Sequence, residues 1–149
     1  MAKGRFSAQN WQDWFAKDRH ERFKGEELVI GVDCAKIAFY GSIMAGSWHN
    51  FDMLYFERDE IGEVLDRFKA LPFKRVVLVL EPTGTYSDAL ITQAQDRGME
   101  VIRINGEKVS SADRAFDGVP SLHDGKAAYL LGRPILLRRR YLLAAPQCG

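Results

Sequence analysis

Three carboxylates stand where a carboxylate needs a reason. Asp33 ends the apolar run ELVIGVD, Glu81 ends RVVLVLE, and Asp124 opens HDGKAAYLLG. An unbroken apolar run reads as a strand buried on both faces. A carboxylate at its end is costly to bury unless it is paired or binds a metal. Two such anions side by side are unfavourable without a cation between them. Oxygen ligands of this kind suit magnesium or manganese. Two such ions align a water or hydroxyl for attack on a phosphodiester and stabilise the leaving oxygen. Each acid also has an ordinary reading: Asp33 as a turn residue, Asp124 as an N-cap. Glu81 is the hardest to explain that way, because Pro82 removes the next backbone donor.

The elements that must position these acids are legible in the hydrophobic pattern. SAQNWQDWFAKDRHER has helical spacing at Trp11, Trp14 and Phe15, with Ser7 as a candidate cap. ELVIGVD, IAFYGSIM and FDMLYFE read as three strands joined by short links, an antiparallel meander. A helix starting near Asp59 places Ile61, Val64, Leu65 and Phe68 on one face, and Pro72 closes it. RVVLVL is the fourth strand, Tyr86 to Arg97 a second amphipathic helix ended by Gly98, and EVIRIN the fifth strand. A polar stretch then leads to a last helix from His123 that stops before Pro134. The expected fold is α/β: a mixed five-stranded sheet of order 3-2-1-4-5 with helices on both faces, the ribonuclease-H-like element order. Strands one and four are then parallel neighbours, so Asp33 and Glu81 meet at their carboxyl ends, where ligands of open α/β sheets gather. The last helix would bring Asp124 to the same edge.

Bulk properties narrow the classes. The chain has 149 residues, one domain's worth, with a net charge of +1. No global field argues for or against nucleic acid, although the opening segment to Lys24 and the tail with Arg133 and Arg138, Arg139 and Arg140 lean basic. Two distant cysteines, Cys34 and Cys148, make neither a disulfide framework nor a zinc signature, which points to a reducing cytoplasm. No apolar run approaches the roughly 20 residues of a membrane span.

GVDCAK, LEPTGTY, GMEVIRIN and the DGKAA segment together carry a family resemblance. The chain from about Leu28 to Arg133 resembles the N-terminal domain of DEDD-type insertion-sequence transposases, the IS-one-ten group that also includes Piv-type DNA invertases. The EPTGTY element is its most specific part. The resemblance implies a RuvC-like fold, a four-carboxylate magnesium or manganese site, and DNA cutting and rejoining during transposition. It also implies DNA as partner, a guide RNA in some members, and a homo-oligomer in full-length relatives. By position, Asp33, Glu81 and Asp124 are the first three catalytic and metal-binding acids. Lys36, Thr83, Tyr86 and Lys126 are the candidate nucleic-acid contacts around them. Two departures stand out: Ala127 occupies the place of the fourth acid, and 134–149 do not read as the family's continuation. The expected organisation is a helical extension over 1–25, the RuvC-like domain over 26–133, and a truncated basic tail over 134–149.

Two other functions compete. One is a catalytically defective, nucleic-acid-binding fragment of such a transposase, motivated by Ala127. The other is an unrelated ATPase lobe, whose phosphate turn GVDCAK resembles superficially; it would need a second phosphate-binding lobe.

Overall fold

The computed structural model describes residues 8–81, 85–104 and 132. Their centre is a six-stranded mixed sheet of order β1-β4-β3-β2-β5-β6: β1 (Gln9–Asn10), β2 (Glu27–Cys34), β3 (Ala38–Ala45), β4 (Ser47–Glu57), β5 (Arg75–Leu80) and β6 (Glu100–Arg103). The helices are α1 (Trp11–Ala16), α2 (Ile61–Lys69) and α3 (Asp88–Asp96). β2, β3 and β4 pair antiparallel, whereas β5 runs parallel to β2 and β6 parallel to β5. The α/β class is as expected. The sheet has six strands rather than five, because Gln9 and Asn10 add a short parallel strand against Leu54 and Tyr55 of β4.

The N-terminal helix is correspondingly shorter than its hydrophobic spacing suggests. The cap is Asn10, whose Oδ1 accepts from the Gln12 amide at 2.9 Å, and the helix ends at Ala16. Asp18 then takes a left-handed conformation, and 19–22 form one 3-10 turn. This segment is integral to the core. Trp11, Trp14, Phe15 and Phe23 are buried in the same cluster as the sheet and the other helices. Trp14 lies within ring-stacking reach of Phe15, Phe23 and Phe68.

α2 buries Ile61, Val64, Leu65 and Phe68, the face its spacing dictates. It is preceded by a 3-10 turn over Arg58–Glu60, in which Glu57 and Glu60 form a reciprocal capping box. α3 buries Leu90, Ile91 and Ala94. Gly98 (φ 74°) ends it in a Schellman arrangement: the Met99 amide donates to the Ala94 carbonyl and the Gly98 amide to that of Gln95.

Strand parity sorts the sheet into two faces. Leu28, Ile30 and Val32 of β2 and Val76, Leu78 and Leu80 of β5 face the cluster built with α1, α2 and α3. Val29, Met44, Val77 and Val79 are also buried but belong to the opposite face. Helical Gly132 lies against that second face: a Cβ there would stand 3.0 Å from Met44 Cε and 3.4 Å from the Gly31 amide nitrogen. No helix among the described residues is long and apolar enough to cross a membrane.

Candidate functional site

The register of the two central strands decides which acids meet. Val32 pairs with Leu80 across the parallel β2–β5 ladder. Asp33 and Glu81 are the next residue on each chain, on strands about 4.8 Å apart. Both have the parity of the second face, the face of Gly31 and Val79, and both are half-buried. Asp33 is also opposite Tyr40 of β3, whose ring lies 6.2 Å from that of Tyr55 on β4. The sheet thus presents two carboxylates flanked by a tyrosine pair at one end.

Cys34 has the other parity and packs against the helical core. Burial and the neighbouring Asp33 carboxylate push its thiol up to about 12, with Arg58 opposing them. Such a thiol is protonated at neutral pH and is no nucleophile. This agrees with its packing role.

Lys36 lies in the β2–β3 link, where the Ala35 amide donates to the Ala38 carbonyl at 3.1 Å. It is exposed, as is its neighbour Ile37, which at 72% is the one exposed large apolar side chain among the described residues. Tyr86 sits in the turn 85–87 that leads into α3, ahead of the helix the sequence expected it to start. Thr83, Asp124 and Lys126 lie outside the described residues, as do Pro82, Gly84 and Ala127. Gly132 is the described residue nearest along the chain to Asp124, Lys126 and Ala127.

Arg58 has no counterpart in the sequence reading. It follows β4 directly, and Glu57 pairs with Ala38 at the start of β3, so Arg58 occupies the same sheet end as Asp33. Its Nη2 donates to the Tyr86 carbonyl at 3.3 Å, and its guanidinium carbon lies 5.6 Å from the Tyr86 ring centroid. Only tertiary structure brings these two residues together.

Two other charged groupings have structural explanations. Glu57, Asp59 and Glu60 offer ligand atoms within 4.8 Å of one another. Two of these carboxylates are already engaged in the capping box, and all three favour the positive end of α2. At the opposite end of the sheet, a cavity of about 540 Å³ is lined by Lys69, Lys74, Arg75 and Arg97 among others. These cations are committed internally. Lys69 donates to the Arg97 carbonyl at the end of α3, Arg97 pairs with Asp66 at 2.7 Å, Arg75 with Glu27 and Lys74 with Glu26. The Arg97 hydrogen bond holds the Asp66 carboxyl below its ordinary value.

Comparison with protein-family models gives no match for the chain, and comparison with curated proteins gives none.

Proposed function

We propose that this chain is a ribonuclease-H-like, metal-dependent nucleic-acid domain of the DEDD insertion-sequence transposase type, acting on DNA phosphodiesters. The supporting observation is the β2–β5 register, which sets Asp33 and Glu81 at adjacent strand ends on one sheet face. The strand order supports the ribonuclease-H-like reading, with β4-β3-β2-β5-β6 as the 3-2-1-4-5 core and β1 as an edge addition.

Two carboxylates in this relation form a hard-oxygen donor set that fits a divalent cation. Bound there, magnesium or manganese would supply charge neutralisation and polarisation of a phosphoryl oxygen. Asp33 and Glu81 would hold the ion, with Asp124 as the third acid. The apolar residues that precede them on the same sheet face, Val29, Val77 and Val79, are buried.

The test is isothermal titration of manganese into the wild type and into an Asp33→Ala, Glu81→Ala double variant, with cleavage of a labelled branched DNA in parallel. The expected result is saturable binding and metal-dependent nicking by the wild type, both lost in the variant. Equal binding by both proteins would refute the metal site. Binding without nicking would favour the catalytically defective fragment that Ala127 suggests.

A further inference from the structure

Arg58 is a cation at the acid end of the sheet that, among the described residues, uses little of its hydrogen-bonding capacity. A guanidinium carries five N–H donors in a fixed fork. Among the described residues, Arg58 spends one of them, on the Tyr86 carbonyl, and no carboxylate pairs with it. Arg19, Arg22, Arg75 and Arg97 each have an acidic partner. Arg58 is exposed.

The guanidinium is nevertheless held in place. Its bond to the Tyr86 carbonyl fixes one edge, and the Tyr86 ring beneath it provides a cation–π contact. Such immobilisation removes much of the entropy that a free arginine loses on binding. The same contacts tie the end of β4 to the turn 85–87 at the start of α3.

We propose that Arg58 is a phosphate-contacting and positioning residue: it takes a backbone phosphate of the DNA strand drawn to the Asp33–Glu81 end, and its hold on Tyr86 fixes the turn 85–87 that leads into α3. The proposal rests on the DNA reading above. A planar fork matches two phosphate oxygens, whereas lysine offers only a point charge. Phosphate contacts of this kind set the register of a strand rather than its sequence.

The experiment measures binding of a fluorescent single-stranded DNA by anisotropy across a salt series, for wild type, Arg58→Ala, Arg58→Lys and Tyr86→Leu, with melting curves confirming folding. Each phosphate contact adds about 0.7 to the slope of log affinity against log salt for single strands. Arg58→Ala is expected to weaken binding several-fold and to lower that slope by about 0.7. Arg58→Lys should restore the slope but only part of the affinity, and Tyr86→Leu should weaken binding at unchanged slope. Wild-type affinity and slope in Arg58→Ala would overturn the proposal, as would lost affinity at unchanged slope, which marks a purely structural role. A wild type that binds no DNA would overturn it too. Manganese titration separates this outcome from failure of the metal reading: intact metal binding with an unaffected Arg58→Ala sinks only the Arg58 assignment, and a lowered slope without metal binding sinks only the metal site.

Discussion

Replacing Asp52 tests how the N-terminal segment is fastened to the sheet. Asp52 lies in β4, and its carboxylate side chain is only 12% exposed. It accepts from Trp14 Nε1 at 3.0 Å, from Arg22 Nη1 at 2.6 Å, and from Arg19 at 3.4 Å. Asp52→Ala leaves the indole N–H of a fully buried tryptophan without a partner, which costs about 1–3 kcal/mol. The two arginines are about two-fifths exposed, so each ion pair adds only about 0–1 kcal/mol. The sum is a loss of roughly 1–5 kcal/mol, the larger share of it from the indole. Asp52→Asn keeps a carbonyl acceptor for Trp14 and should cost no more than about half as much. Urea denaturation followed by tryptophan fluorescence measures both. Raising salt should erase the arginine share and leave the indole share. Equal destabilisation by Ala and Asn, or a loss below about 0.5 kcal/mol for Ala, would refute the dominance of the Trp14 hydrogen bond.

Other expectations follow from the same contacts. Glu81→Gln removes one of two like charges on adjacent strands; it should raise metal-free stability by about 1 kcal/mol and abolish stabilisation by manganese, both read from melting curves, and a variant still stabilised by manganese would contradict the metal site. The Cys34 thiol, raised from an ordinary 9.0 to about 12, binds its proton more tightly in the folded state; its contribution is therefore fully present below pH 9 and lost as pH rises toward 12. In a Cys148→Ser background, alkylation of Cys34 by iodoacetamide should stay slow at pH 9, and rapid labelling there would contradict its burial. Gly46 (φ 72°) would place a Cβ 2.8 Å from the Lys24 carbonyl oxygen, so Gly46→Ala should cost about 1–3 kcal/mol in a denaturant melt, against a much smaller loss if Lys24 could move aside.

Much of the fold could be read from the sequence because its signals are local. The unbroken apolar runs of β2 and β5, the 61-64-65-68 stripe of α2 and the glycine after α3 each announce themselves within a few residues. β1 does not, since Gln9 and Asn10 carry no strand signal and pair only because the tryptophans behind them dock into the core. Asp52 alternates with apolar residues and so reads as a solvated position, yet its partners lie some thirty residues away around Trp14 and Arg22. That Asp33 and Glu81 end neighbouring parallel strands could be derived from element order, whereas the register that aligns Val32 with Leu80 could not. Arg58 could not, because its meaning depends on where the Tyr86 turn falls in space.

The two ends of the sheet carry different arrangements of charge, and the proposed function places its ligand at one of them. At the end that carries the start of β5, Lys69, Lys74, Arg75 and Arg97 each meet a carboxylate or a helix-terminal carbonyl, so an incoming anion there would have to break an existing contact. At the end that carries Asp33 and Glu81, two carboxylates share a sheet face while Arg58 keeps its charge unpaired among the described residues. Adjacent anions are costly and favour a cation; an immobilised, unpaired guanidinium favours an anion. On the proposed reading a divalent ion together with a phosphate ester would satisfy both conditions at once, which neither a metal nor a phosphate would do alone. A charge-neutral small ligand would relieve neither, which is why the proposed function takes a metal-bound phosphodiester as its ligand rather than an uncharged one.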